Sequence, residues 1–88
     1  MASSPQIYYG ILAILYAMAS LTERFGTRVK KLRTQKKMSQ LELAQKSQLD
    51  LTTINEIENG NREPMLKTVW RIANALEIKM SDLFDSLQ

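Results

Sequence analysis

Four side chains near the middle of the chain carry the recognition chemistry that this sequence offers. Asn55 presents both a hydrogen-bond donor and an acceptor, Thr52 a hydroxyl and a methyl group, and Glu56 acceptors only. Leu51 has no hydrogen-bonding group and offers apolar surface alone. In a helix these four residues lie opposite an inward face that begins at Ile54. They are suited to non-covalent recognition of a polar partner.

Composition disfavours an enzyme. The 88-residue chain contains neither cysteine nor histidine, which removes disulfides, most zinc sites and the common histidine-based catalytic schemes. The sequence has no phosphate-binding loop. The carboxylates Glu56, Glu58 and Glu63 belong to a helical motif in residues 38–63 that explains them better than catalysis does. We therefore expect a non-enzymatic protein with no catalytic residue, metal or cofactor.

Residues 38–60 predict two short helices joined by a tight corner. Ser39 and Glu42 have the spacing of a capping box, so the first helix should begin there. Asp50 is a second N-cap, and Gly60 supplies the left-handed residue that ends the second helix. Two such short helices with only three residues between them must cross steeply, which is the helix-turn-helix arrangement.

This pattern resembles the DNA-binding domain of the Cro/phage-repressor (Xre) helix-turn-helix family. The resemblance is carried by five segments in order: VKKLR (29–33), MSQLELA (38–44), TINEIENG (53–60), NREP (61–64) and KTVWRIANAL (67–76). It implies an all-α fold with a five-helix repressor-like domain at residues 23–88. Residues 1–22 lie outside the resemblance, and we expect them to form an additional N-terminal hydrophobic helix. Relatives usually carry glycine at the corner where this chain has Gln48, so a left-handed backbone there would cost about 1 kcal/mol.

A helix-turn-helix places its second helix in the major groove of double-stranded DNA. The resulting base-reading candidates are Leu51, Thr52, Asn55 and Glu56. Asn55 can pair with adenine, Glu56 can accept from cytosine N4, and Leu51 can contact only a thymine methyl or other apolar surface. Because the set has no arginine or lysine, we expect modest affinity per half-site and a need for dimerisation.

The resemblance also implies contacts outside the base-reading set. Relatives contact DNA phosphates at four positions, which in this chain are Gln40, Thr53, Asn59 and Arg62. Such contacts position a protein on DNA without carrying sequence information. Arg33 and Glu58 match a structural ion pair that ties the first helix to the third.

Basic residues are concentrated before the motif, although the formal net charge is only +3. One stretch contains Arg24, Arg28, Lys30, Lys31, Arg33, Lys36 and Lys37, whereas every acidic residue except Glu23 lies from Glu42 onward. Such a stretch can attract a polyanion. The alternative is an ordinary solvated helix face.

The segment from Ile7 to Leu21 contains no charged residue. As a helix it would span about 22 Å, short of the roughly 30 Å of a bilayer core, so a membrane partner is not expected. Its alternatives are a helix buried against the domain or a second subunit, a membrane anchor, and a disordered or non-native leader. We favour dimerisation.

The dimer-interface candidates lie at both ends of the chain: Ile7, Ile11, Ile14, Met18, Leu83, Phe84 and Leu87. The C-terminal three could instead close the core of a single chain. Trp70 could cover that core or contribute to a dimer interface.

The favoured function is a sequence-specific transcriptional regulator that binds an inverted repeat as a homodimer, of the small-repressor or restriction-modification-controller type. A cytoplasmic, nucleoid-associated location fits this function. The alternative is a protein-interaction module, such as an antitoxin whose main partner is another protein, reached through the N-terminal helix.

Overall fold

The computed structural model describes the backbone of residues 3–85 and the side-chain surroundings of residues 9–15, 17 and 21–85. The described chain is all-α and contains no strand, which confirms the predicted fold class. Its five helices are α1 (Ser3–Gln35), α2 (Gln40–Ser47), α3 (Leu51–Glu58), α4 (Leu66–Ala75) and α5 (Met80–Phe84).

Helix α1 unites two segments that differ in composition and were predicted as separate helices. The uncharged N-terminal segment and the first helix of the domain form one helix of 33 residues, about 50 Å long. The change in composition near Thr22 does not interrupt it, because no proline or capping signal stops the backbone there. The predicted boundary between residues 22 and 23 therefore falls inside a continuous helix. Helix α1 accounts for most of the 56 Å long dimension of the molecule.

The core lies where the C-terminal half of α1 meets the other four helices. Its members are apolar residues contributed by every helix: Phe25, Val29, Met38, Leu43, Ala44, Ile54, Ile57, Val69, Ile72, Ala73, Ala75, Leu76 and Leu83. The rings of Phe25 and Phe84 stack with centroids 5.4 Å apart, which joins α1 to α5. Trp70 remains 53% exposed.

The predicted signals for α2 and α3 are confirmed. The Ser39 hydroxyl accepts from the Glu42 amide at 3.0 Å, and the Glu42 carboxylate accepts from the Ser39 amide at 3.3 Å. Asp50 accepts from the Thr53 amide at 2.7 Å. Gly60 has φ +73°, the left-handed conformation expected at the end of α3.

Gln48 adopts the left-handed conformation expected of the corner residue, with φ +59°. Lys37 and Glu77 have φ +56° and +58° at the ends of α1 and α4. In each case the next amide bonds back to the last turn of the helix, as the Leu49 amide does to the Ala44 carbonyl at 2.9 Å. These hydrogen bonds hold the chain in a conformation that costs a non-glycine residue about 1 kcal/mol.

Helix α5 begins at Met80, so its N-cap is Lys79. The Lys79 amide donates to the Asp82 carboxylate at 3.4 Å.

Within the described residues, no helix is long and apolar enough to span a membrane.

Candidate nucleic-acid interface

The outer face of α3 presents the predicted base-reading residues. Thr52 and Asn55 are exposed, Leu51 is 45% exposed, and Glu56 is half-buried. The opposite face is anchored by Ile54, which has no exposed surface. The outer residues therefore project from a helix that the core holds in place.

Gly26 allows α3 to pack directly against α1. A Cβ at this position would overlap the Ile57 carbonyl oxygen and would lie 3.0 Å from the Glu58 carbonyl oxygen. Both are backbone atoms in the last turn of α3, so no side-chain rotation could make room. The close approach of α1 and α3 therefore depends on the missing side chain.

Arg33 and Glu58 form the ion pair that the family resemblance implied. Arg33 Nε and Nη2 donate to the two carboxylate oxygens of Glu58 at 2.6 and 2.9 Å, and both residues are buried. Arg33 Nη1 also donates to the Met38 carbonyl at 2.7 Å. This arginine is therefore part of the interior and ties α1 to the end of α3.

Three side-chain amides continue outward from this ion pair. Gln40 Nε2 donates to Glu58 Oε1 at 3.0 Å. Asn55 Nδ2 donates to Gln40 Oε1 at 3.4 Å, and Asn59 Nδ2 donates to Asn55 Oδ1 at 3.1 Å. The structure thus joins one predicted base-reading residue to two predicted phosphate contacts.

Arg62 lies beside another base-reading candidate. Its Nη2 is 3.0 Å from Glu56 Oε1, and the two side chains are 48% and 37% exposed. An ion pair this exposed is screened by water and contributes little. Breaking it so that Arg62 can reach a phosphate therefore carries a small cost.

Thr53, the remaining phosphate candidate, interacts with the cap of α3. Hydrogen bonds from the Thr53 side chain and then from its backbone hold the pKa of the Asp50 carboxyl below its ordinary value of 3.8. Asp50 is thus ionised in neutral solution, and it accepts a hydrogen bond from the Thr53 amide in the first turn of α3.

The structure divides the basic stretch between interior and surface. Arg33 is buried in its ion pair, and half-buried Arg28 donates from Nη2 to the Asp82 carbonyl at 3.0 Å. The other five residues of the stretch are exposed: Arg24, Lys30, Lys31, Lys36 and Lys37. The surface available to a polyanion is therefore smaller than the sequence suggested.

A second exposed surface lies on the N-terminal half of α1. Ile11 and Ile14 are more than half exposed. Each is followed eighteen residues later, about five helical turns, by a residue facing the core: Val29 follows Ile11, and Leu32 follows Ile14. The apolar stripe that the domain covers at one end of α1 is therefore uncovered at the other. Exposed Leu15 extends it.

The other dimer-interface candidates differ in position. Leu83 has no exposed surface and packs in the core of the single chain, which favours the alternative for this residue, whereas Phe84 is 37% exposed. The side-chain surroundings of Ile7 and Met18, and the whole of Leu87, lie outside the described residues.

Gly26 and Arg28 make contributions that the sequence pattern did not predict. A glycine inside a helical pattern is a signal for close packing, but the helix it contacts cannot be read from the sequence. Arg28 looked like one more basic surface residue, and nothing local distinguishes it from its neighbours.

The fold and this surface define a helix-turn-helix protein of the DNA-binding class, with α2 and α3 as the motif. A family model described as "Helix-turn-helix" matches residues 29–83. The chain belongs to this family, in its Cro/phage-repressor-like (Xre) branch.

Similar proteins include restriction-modification controllers. The control protein C.MunI from Mycoplasma sp is 38% identical over 72 residues, which are 81% of this chain and 97% of that protein. The structure of the controller C.AhdI from Aeromonas hydrophila is 39% identical with a TM-score of 0.70, covering 75% of this chain and 98% of that one. The controller C.Esp1396I, solved as a tetramer with its natural 35-base-pair operator, is 36% identical with a TM-score of 0.72, covering 76% of this chain and 88% of that one.

Proposed function

We propose that this protein is a sequence-specific transcriptional regulator that binds an inverted-repeat operator as a homodimer. The exposed outer face of α3, fixed to the core from behind, is the observation that carries the proposal. The similarity of the chain to C.Esp1396I, whose structure contains operator DNA, supports the proposal. Among regulators, the restriction-modification-controller type fits best, and the role is non-enzymatic and cytoplasmic.

In this proposal α3 lies in the major groove, where each base pair presents a distinct pattern of hydrogen-bonding groups. Thr52, Asn55 and Glu56 read base edges, and Leu51 contacts a thymine methyl. Arg62 leaves Glu56 to contact a phosphate. The amides at the start of α2 favour a second phosphate there, because the helix dipole places partial positive charge at that end.

Homodimerisation brings two such helices to the two halves of the operator. The uncovered stripe on α1 is a suitable contact surface, since it continues the helix face that the domain already buries. We assign it to a second copy of this chain, with exposed Phe84 available at the other end of the domain. Half-sites are then expected about 34 Å apart, one turn of DNA.

The regulator proposal is tested by selecting DNA from a random duplex pool with the full chain at two salt concentrations. We expect enrichment of a palindrome bound by two chains, with affinity that falls steeply as salt rises. Salt-sensitive binding without any enriched sequence would contradict the proposal, because it would leave only non-specific attraction.

Substitutions separate reading from anchoring. Arg62→Ala should weaken binding to all duplexes alike and reduce the salt slope of the dimer by about 2, since each of its two chains loses one phosphate contact. Glu56→Ala should change base preference within each half-site. Lys67→Ala, at an exposed position of α4 outside the proposed interface, is the charge-matched control for Arg62→Ala. A change of base preference in Arg62→Ala with general affinity intact would refute its assignment.

The dimer contact is tested by sedimentation of full-length variants. Ile11→Glu places a charge in the α1 stripe and should shift the chain toward monomer. Tyr9→Glu, about 160° away around the same helix, is the control that should leave the dimer intact. Equal dimerisation by the two variants would refute the stripe as the contact.

The exposed N-terminal half of α1 also favours a second candidate, a module that binds a different protein. A full-length chain that stays monomeric and selects no DNA sequence would support this candidate over the regulator.

A further inference from the structure

The polarity of the amides beside α3 is fixed by the interior of the protein. Both oxygens of the Glu58 carboxylate accept a hydrogen bond from Arg33, so this group offers Gln40 an acceptor and no donor. Gln40 must turn its NH₂ group toward Glu58, and its oxygen consequently points to Asn55. Asn55 must in turn offer its NH₂ group to that oxygen.

Asn59 completes the series from the exposed end. Its NH₂ group donates to Asn55 Oδ1 at 3.1 Å, as the orientation of Asn55 requires. Reversing the Asn55 amide would place two oxygens against each other at Gln40, whose own orientation Glu58 fixes, and that hydrogen bond would be lost. The hydrogen bond with exposed Asn59 would survive only if the Asn59 amide reversed as well, so a single orientation of Asn55 is favoured before any ligand arrives.

The hydrogen-bonding capacity left on Asn55 matches adenine. One Nδ2 hydrogen and one Oδ1 lone pair are occupied within the protein, which leaves one of each. Adenine presents N7 as an acceptor and N6 as a donor in the major groove, and asparagine pairs with both. A reversed amide would place its NH₂ group against the N6 donor.

We propose that Gln40 and Asn59 are positioning residues for base recognition, which orient Asn55 toward adenine with a polarity set by buried Glu58. This inference rests on the proposed function. Gln40 and Asn59, which the family resemblance implies as phosphate contacts, thereby also have a role in base specificity. This role extends the specificity determinants from the outer face of α3 to α2.

The test measures binding of full-length variants to the selected operator and to operators changed at one base pair. Wild-type protein should prefer adenine at the position read by Asn55 by roughly 5- to 150-fold, the range of one bidentate contact. Gln40→Met keeps similar length without hydrogen bonds and should lose most of that preference while other positions keep theirs. Gln45→Met, on the exposed side of α2, is the matched control and should behave as wild type.

A double-mutant cycle adds two proteins, the Asn55→Ala variant and the double variant that carries both Asn55→Ala and Gln40→Met. If Gln40 acts through Asn55, the double variant should discriminate no worse than Asn55→Ala alone. Asn59→Ala removes the exposed end of the series without touching the core, so it keeps the test available if Gln40→Met does not fold. It should also reduce preference at the same base pair.

Three results would overturn the proposal. Uniform weakening by Gln40→Met across all operators would make Gln40 a phosphate contact only. Unchanged base preference in Asn55→Ala would show that Asn55 does not read this base pair, so that there is nothing for Gln40 and Asn59 to position. A wild-type protein without any sequence preference would refute the proposed function itself.

The free protein provides a readout that does not depend on DNA. The side-chain NH₂ protons of Asn55 should show slowed rotation and exchange by NMR, and Gln40→Met should remove this protection. Unprotected Asn55 protons in a wild-type protein that still selects an operator would refute the positioning while leaving the proposed function standing.

Discussion

Replacing Gly26 with alanine should destabilise the protein although alanine is the better helix former. In an open helix interior the exchange stabilises by about 0.5–1 kcal/mol. At Gly26 the new Cβ would overlap the Ile57 carbonyl oxygen and lie 3.0 and 3.2 Å from the carbonyl oxygen and carbon of Glu58. These are backbone atoms, so α1 and α3 would have to move apart. Overpacking of this kind costs about 1–3 kcal/mol, and we expect the net loss to lie in that range.

Gly10 provides the matched control on the same helix. A Cβ there would meet no atom within 4 Å other than its chain neighbours and the backbone of its own helix, so Gly10→Ala should be neutral or stabilising by up to about 1 kcal/mol. Urea denaturation followed by circular dichroism measures both, at several chain concentrations because dimerisation contributes to stability. Two variants that are equally stable, or a stabilised Gly26→Ala, would refute the close packing of α1 on α3.

Three further predictions concern the motif and its supports. Gln48→Gly should raise the free energy of unfolding by about 0.5–1 kcal/mol, because glycine adopts the left-handed corner conformation without the steric cost. Denaturant midpoints measure this change, and a destabilised variant would contradict the prediction. Arg33→Met should cost about 3–5 kcal/mol, since it leaves the Glu58 carboxylate buried without its partner; a loss below about 1 kcal/mol in the same assay would show that the pair contributes little. The pKa of Asp50 is lowered mainly by the hydrogen bonds from Thr53, so its contribution to stability is present above the unfolded pKa and is lost as pH falls through the folded pKa. Stability followed downward from about pH 5 should therefore fall more steeply in wild type than in Asp50→Asn, whose cap does not titrate, and identical pH profiles would contradict this.

The helix ends of the motif could be predicted because their signals are local. The capping box of Ser39 and Glu42, the Asp50 cap and the left-handed Gly60 each depend on residues within one turn of the helix end. The continuity of α1 could not be predicted in the same way. A change from apolar to charged residues looks like a boundary, but backbone hydrogen bonding continues through it unless a residue prevents the helix.

The contacts within the site could be predicted only in part, because they join residues far apart in the sequence. The resemblance implied the Arg33–Glu58 pair, whose members are 25 positions apart. The Gln40 side chain reaches both Glu58 and Asn55 only because α2 and α3 meet at a particular distance. Residue types reveal which groups can hydrogen-bond, whereas the packing of two helices decides which of them do.

One helix supports both surfaces that the proposed function requires. Helix α1 holds α3 through Gly26 and Arg33, and the stripe assigned to the second copy begins at Ile11 on the same face. Because no break separates these positions, a partner seated on the stripe is fixed in orientation relative to α3. The spacing of the two reading helices then depends on the geometry of a single continuous helix. A base-reading set without arginine or lysine depends on such fixed geometry, since each half-site alone contributes little affinity and both must be engaged together.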